Sequence, residues 1–109
     1  MATKYEAATA AAKWWAEVIY MGKNTDELQV CFFNELLEDR ISNELDEAPL
    51  LELESNYRPC KILAEVAEEV AIDESLFNFE CIMIITRNRV LIKDSDNPWL
   101  ELFPINEMI

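Results

Sequence analysis

The amino-acid sequence predicts an α+β domain in which three helices pack on one face of a small antiparallel sheet. Two observations lead to this prediction. Apolar residues recur at steps of three and four over most of the first 71 residues, which is typical of amphipathic helices. From about Phe77 onwards they instead form short runs separated by turn-like segments, which is typical of strands. The chain of 109 residues is long enough for one domain with its own core. The predicted order is α-α-β-α-β-β, with room for a further strand.

The first helix is predicted over residues 4–21, with Thr3 as its N-cap and Gly22, the only glycine, directly after it. Its apolar residues share one face: Ala8, Ala11, Ala12, Trp15, Val18 and Ile19, widened by Trp14 and Met21. A narrow polar strip is left for solvent: Glu6, Thr9, Lys13, Glu17 and Tyr20. We expect both tryptophans to join the core. Trp14, at the margin of the face, is also a candidate aromatic anchor for a partner.

The second helix is predicted from about residue 25 to 46, because Asn24 and Glu27 resemble a capping box. Its main apolar face consists of Val30, Phe33, Leu37, Ile41 and Leu45. The opposite face presents Glu35, Glu38, Asp39, Ser42 and Asp46, so that four carboxylates share one stripe. A second apolar row, made of Leu28, Phe32 and Leu36, lies beside this stripe. That row is either covered within the domain or contacts a partner.

A short strand and a third helix are predicted next. Pro49 ends the second helix, and the alternating residues 51–54 predict a strand with Glu52 and Glu54 facing water. Ser55-Asn56 is predicted to form a turn. Pro59 is predicted at the first position of a helix that runs to about residue 71. The third helix places Ile62, Leu63, Val66, Ala67 and Val70 inward and a second acidic stripe outward, made of Glu65, Glu68 and Glu69 beside Lys61.

The last third of the chain is predicted to form strands. Residues 79–86 are apolar on both faces, as a central strand requires. A two-residue turn, Arg87-Asn88, leads into a strand over 89–93. After a turn at 94–98, residues 99–103 are a candidate third strand of this group.

The net charge of −13 is concentrated in the middle of the chain. Residues 24–80 contain sixteen Asp or Glu against Arg40, Arg58 and Lys61, whereas the two flanking segments nearly cancel. Solubility alone does not require such segregation. Direct binding to nucleic acid is disfavoured, because phosphate contacts need a basic patch. No apolar run is long enough to span a membrane and no secretion signal is present, so we expect a cytoplasmic protein.

The residues that usually carry catalysis are scarce. The chain has no histidine and one glycine, which excludes histidine-assisted hydrolysis, a P-loop and a dinucleotide-binding fingerprint. Its carboxylates are predicted on solvated helix faces, where the pKa of an acid stays ordinary. Cys31, Cys60 and Cys81 are too far apart in sequence to suggest a disulfide framework or a zinc site. We therefore expect a non-enzymatic protein without a cofactor or metal.

The two acidic stripes lead to the functional hypothesis. Carboxylates three and four residues apart on a helix lie about 5–6 Å from one another, and duplex DNA carries one charge per about 1.7 Å of its axis. The stripes are therefore suited to mimic DNA in front of a basic groove on another protein. The proposed partner-binding residues are Glu35, Glu38, Asp39, Asp46, Glu65, Glu68, Glu69 and Trp14. The alternative is that the carboxylates form only a solvated surface.

Several segments resemble a loose group of short phage and prophage proteins. They are Ala11-Ala12-Lys13-Trp14-Trp15-Ala16, then Ile62-Leu63-Ala64-Glu65 with Ala67-Glu68-Glu69, and finally Phe77 and Phe79 before an apolar strand. Small acidic phage proteins include anti-CRISPR proteins that occupy the nucleic-acid groove of a Cas effector. The resemblance implies an inhibitor of this type and implies no residue-level site. Two other functions are left open: a homo-oligomeric assembly protein that associates through Trp14 or the row of Leu28, Phe32 and Leu36, and an immunity or antitoxin partner of a basic toxin.

Overall fold

The computed structural model describes residues 5–20 and 26–104. Helix α1 spans Glu6–Tyr20, α2 Glu27–Glu47 and α3 Lys61–Glu69, and a 3-10 turn spans Glu74–Phe77. The strands are β1 (Leu50–Asn56), β2 (Glu80–Thr86), β3 (Val90–Asp94) and β4 (Leu100–Phe103). The predicted α+β class and element order are confirmed, and the candidate further strand is β4. The predicted Thr3, Gly22 and Asn24 caps lie outside the described residues. The N-cap of α2 is Asp26, whose carboxylate accepts a hydrogen bond from the Leu28 amide, so the predicted cap at Asn24 is wrong.

The four strands form one antiparallel sheet in the order β1-β2-β3-β4. On its inner face Leu53 pairs with Met83 and Met83 with Ile92, and all three are buried. On the outer face Glu52 pairs with Ile84, which is only partly buried. The helices therefore cover one face of the sheet. Although β2 is apolar on both sides as predicted, only its inner side is fully enclosed.

Helices α1 and α2 lie side by side in opposite directions. The hydroxyl of Tyr5, just before α1, donates a hydrogen bond of 2.7 Å to Asp46 near the end of α2. At the other end, Ala16 and Tyr20 lie around one groove with Val30. The inner face of α1 is largely alanine, and small side chains allow two helices to approach closely. Helix α1 also packs against β2, β3 and β4, whereas α2 packs against β1 and α3.

One core joins the helices and the sheet. Trp15 and Phe77 are fully buried, with ring centroids 6.2 Å apart, and Phe33 lies 6.3 Å from Phe77. The five residues predicted for the main face of α2 are all buried. The polar strip predicted for α1 is exposed at every position. Helical spacing therefore identified most of the inner face of each long helix. On α1, however, Val18 is only partly buried, and Ala7 and Ala16, which were not predicted, are buried.

The predicted turn at Ser55-Asn56 is wrong, because both residues belong to β1 and pair with Cys81 and Glu80. Ser55 is buried, and its hydroxyl oxygen lies 2.8 Å from the Phe77 carbonyl and 2.9 Å from the Phe79 carbonyl. These hydrogen bonds let a polar residue lie inside the sheet. The sequence Ser-Asn gives no sign of them, since both acceptors are more than twenty residues away.

The start of α3 also differs from the prediction. Pro59 is not its first residue but precedes the Cys60 N-cap and forms an isolated bridge with Ser55. At the other end, Ala71 adopts a left-handed conformation (φ 59°), and the Ile72 amide donates to the Ala67 carbonyl. This is the Schellman arrangement that usually uses glycine. It ends the helix two residues earlier than predicted.

Candidate interaction surface on helices α2 and α3

The acidic middle of the sequence forms a contiguous part of the molecule. Its three elements are α2, β1 and α3, and α2 packs against both of the others. The amide of Gln29, in the first turn of α2, donates to the Val70 and Ala71 carbonyls at 3.0 and 3.2 Å. This contact fixes the end of α3 against the start of α2. Strand β1 is an edge of the sheet, and its exposed Glu52 and Glu54 lie on the outer face. The elements of the acidic segment are thus neighbours in space, although the carboxylates of β1 face away from the two helices.

One row of α2 faces α1. Asn34, Glu38, Ser42 and Asp46 follow one another at steps of four, which places them on the same side of the helix. Asn34 shares a groove with residues of α1, and Asp46 accepts the hydrogen bond from Tyr5. Between them Ser42 is buried, at 6% exposure. The prediction that Ser42 belongs to the solvated stripe is therefore wrong. The predicted stripe is divided, because Glu38 and Asp46 lie beside α1.

A second row of α2 faces solvent. Leu28, Phe32, Glu35 and Asp39 are exposed and follow at steps of four, three and four. We call these four residues the α2 ridge. Leu28 is 61% exposed and Phe32 is 50% exposed, whereas Leu36 from the same predicted apolar row is partly buried against the core. The ridge is apolar towards its N-terminal end and acidic towards its C-terminal end.

The position of Glu38 affects its protonation. Partial burial beside α1 raises the pKa of the Glu38 carboxyl above its ordinary value of 4.5, and the neighbouring Asp39 and Glu35 raise it further. Both causes act by disfavouring the ionised form. Glu38 therefore carries its negative charge at a cost to the fold. Glu35 and Asp39, by contrast, are exposed.

The stripe on α3 is partly neutralised. Nη1 of Arg40 lies 2.9 Å from Oε1 of Glu65, and its Nε lies 3.2 Å from Oε2 of Glu44. The hydrogen bond to Glu65 is the main reason that the pKa of Arg40 is raised above its usual value. Glu68 and Glu69 are exposed. These two, with Glu35 and Asp39, are predicted site carboxylates that are exposed and form no ion pair among the described residues.

Trp14 lies elsewhere. It is partly buried and packs edge-on against Trp15, with ring centroids 5.0 Å apart and planes at 88°. With Trp99, Leu100 and residues of the β3–β4 turn it lines a groove of about 350 Å³. Trp99 and Leu100 are 47% and 58% exposed, which the sequence analysis did not foresee. The structure does not bring Trp14 together with the carboxylates of α2 and α3.

The cysteines and carboxylates are the possible metal ligands among the described residues. The described residues contain no group of three Cys, Asp or Glu placed to hold a metal ion. All three cysteines are free; Cys31 is exposed, and burial raises the pKa of the Cys81 thiol to about 12. None of the described helices is both long and apolar enough to cross a membrane. The chemistry of this surface is that of charge and exposed apolar area.

No family model matches the chain, and a search of curated proteins finds no match.

Proposed function

We propose that this protein is a small cytoplasmic, non-enzymatic inhibitor that binds a basic, nucleic-acid-binding surface of another protein. The target we favour is a nucleic-acid-processing effector such as a Cas protein, which would make the chain an anti-CRISPR-like phage product. The observation that carries the proposal is the spatial grouping of α2, β1 and α3, which together hold most of the carboxylates of the acidic segment. Like charges held close together destabilise a fold, so a function that uses the field offers a reason for their grouping.

The physical basis is long-range attraction followed by competition with nucleic acid. Exposed carboxylates at helical spacing present a negative field to a groove that normally binds phosphates. Such attraction is screened over about 8 Å at physiological salt and about 3 Å at 1 M. Binding should therefore weaken steeply as salt rises, mainly because association becomes slower. It should also compete directly with duplex DNA.

The test starts from the DNA-binding fraction of a bacterial lysate, collected on DNA-cellulose. The protein is immobilised, the fraction is passed over it, and bound material is displaced with a 20-bp duplex and identified by mass spectrometry. We expect a nucleic-acid-binding protein that the duplex displaces. The proposal is overturned if nothing is captured or if the duplex displaces nothing. A toxin nuclease as the captured protein would favour the immunity-type alternative.

A matched pair of variants shows whether the position of the charge matters. The first carries Glu35→Lys, Asp39→Lys, Glu68→Lys and Glu69→Lys, which avoids Glu65 and Asp46 because both make structural contacts. The control carries four reversals at other exposed positions: Glu6, Glu17, Asp94 and Asp96. Both variants have the same net charge. We expect affinity to fall at least about a hundredfold for the first variant and less than tenfold for the control.

A homo-oligomeric assembly protein is the second candidate function, favoured by the exposure of Leu28 and Phe32. Salt distinguishes the two candidates. Association of identical acidic chains through apolar residues should strengthen as salt screens their repulsion, whereas binding to a basic target should weaken. Light scattering at low and high salt measures the first effect, and the capture assay measures the second.

A further inference from the structure

We infer that the α2 ridge docks lengthwise into a groove of the basic target, with Leu28 and Phe32 as apolar anchors and Glu35 and Asp39 as ionic contacts. This inference rests on the proposed function and adds the binding mode and the shape of the partner site. The groove it requires is apolar at one end and lined by Lys or Arg at the other. Eleven residues separate Leu28 from Asp39, so the contact is about 16 Å long.

The spacing of the ridge is that of a helix bound in a groove. Peptide helices that bind in this way present anchors at positions i, i+3 or i+4, and i+7. Leu28, Phe32 and Glu35 occupy i, i+4 and i+7, and Asp39 follows one turn later. All four are exposed. The ridge therefore contains a complete set of contacts along one helix.

The exposure of Leu28 and Phe32 is not explained by the core. Val30 and Phe33, their neighbours in sequence, are buried and complete the inner face. Phe32 is half exposed on a helix that is otherwise held on both flanks, by α1 and by α3. Large apolar side chains next to a charged rim are typical of interaction sites. Because α2 is already folded, binding requires no ordering of the helix.

Charge complementarity favours a basic partner over a second copy of this chain. Stable interfaces cover about 800 Å² on each partner, whereas two half-exposed side chains supply on the order of 200 Å². A stable contact must therefore extend into the acidic part of the surface. A second copy would place its own carboxylates there, and like charges oppose association. A basic groove replaces this repulsion with attraction.

The first experiment measures the affinity of full-length variants for the protein captured through the duplex-displaceable assay. Leu28→Ala with Phe32→Ala should weaken binding at least about 30-fold, as expected for buried anchors. The control, Trp99→Ala with Leu100→Ala, removes similarly exposed apolar residues at the start of β4, the edge of the sheet opposite β1. It should change affinity less than about threefold. Circular dichroism and thermal unfolding verify that both variants are folded.

Charge reversal along the ridge gives a second comparison. Glu35→Lys with Asp39→Lys should weaken binding at least about tenfold. Glu52→Lys with Glu54→Lys makes the same charge change on the outer face of β1, within the same acidic segment of the chain. It should have the smaller effect. If both ridge variants bind like wild type while the β1 variant does not, the α2 ridge is excluded as the docking surface and the proposed function stands.

Cys31 provides a footprint that does not depend on substitution. Its thiol is exposed and its Sγ lies 3.9 Å from Oε2 of Glu35, at the edge of the ridge. We expect the target to slow alkylation of Cys31 by iodoacetamide at least tenfold, with mass spectrometry assigning the adduct. Binding that leaves Cys31 fully reactive contradicts the inference.

The remaining outcomes are distinct. If wild type shows no duplex-displaceable binding at all, the proposed function fails and this inference fails with it. If Cys31 becomes protected in the protein alone and light scattering gives twice the monomer mass, the occupant of the ridge is a second copy, and the basic groove is overturned.

Discussion

Helices α1 and α2 lie against each other but present different surfaces to solvent. The exposed strip of α1 is polar and nearly balanced in charge, with Lys13 one turn from Glu17. The exposed ridge of α2 has Leu28 and Phe32 followed by two carboxylates and contains no basic residue. A helix whose outer side serves only for solvation needs neither exposed apolar anchors nor unbalanced charge. The difference therefore indicates that α2, rather than α1, carries the interaction surface.

The two helices also differ in how many neighbours they have. Helix α1 packs on one broad side, against α2 and the sheet, whereas α2 has α1 on one flank and α3 on the other. A residue opposite the inner face of α1 is therefore solvated, but a residue to the side of the inner face of α2 lies at an interface. Three changes test this description.

The largest effect is expected at the inner face of α1. Trp15 is fully buried among Phe77 and Phe79, so Trp15→Ala should lower the free energy of unfolding by about 3–5 kcal/mol. Trp14→Ala makes the same chemical change one residue away, where the side chain is only partly buried. It should cost about 1–3 kcal/mol. Urea unfolding at neutral pH measures both. Equal losses would contradict the assignment of Trp15 to the core and Trp14 to its margin.

A smaller effect on stability is expected for the two buried serines. Replacement of Ser55 should lower stability, whereas replacement of Ser42 should leave it unchanged or raise it. Ser55→Ala removes the hydroxyl that bonds the Phe77 and Phe79 carbonyls, and should destabilise the protein by about 1–2 kcal/mol. The Ser42 hydroxyl, on the side of α2 that faces α1, is buried and finds no hydrogen-bond partner among residues 5–20 and 26–104. Ser42→Ala should therefore leave stability unchanged or raise it by up to about 1 kcal/mol, since alanine also favours a helix.

Thermal unfolding of the two serine variants decides the point. If Ser42→Ala destabilises the protein as much as Ser55→Ala, the interface between α1 and α2 is more polar than the structure indicates.

These residues also show what could be predicted from the sequence. The exposed strip of α1 was predicted residue by residue, because periodicity identifies an inner face directly and α1 has neighbours only there. The same periodicity placed Ser42 in solvent. It reports the angle of a residue around its own helix and contains no information on which flank a second helix will cover. Ser55 was missed for a related reason, since its acceptors come from a distant segment.

The candidate site was predictable in composition but not in arrangement. The excess of carboxylates in the middle of the chain is visible in the sequence, and their grouping in space follows from the contacts of α2. The pairing of Arg40 with Glu65, which removes one carboxylate from the second stripe, joins two helices that are far apart in sequence. The exposure of Leu28 and Phe32 was left open by their spacing and is visible only in the folded structure.

The smallest expected effect concerns Glu38, on the side of α2 that faces α1. Burial and the nearby carboxylates raise its pKa in the folded protein, so the folded state holds this proton more tightly than the unfolded chain does. The stability that comes from the protonated group is complete below the unfolded pKa of 4.5 and is lost as the pH rises through the folded value. Glu38→Gln does not titrate and should therefore gain stability over wild type as the pH increases from 4 to 7. Because Glu38 is partly solvated, we expect a gain of only about 0.2–0.5 kcal/mol at pH 7, the size of a like-charge contact on a helix.

Glu17→Gln on α1 is the matched control, since Glu17 has Lys13 one turn before it and loses a favourable neighbour instead. Urea unfolding at pH 4 and pH 7 measures the stability of both variants. If the Glu38→Gln protein is less stable than wild type at pH 7, the Glu38 carboxylate is stabilised by attraction to its surroundings and not destabilised by repulsion.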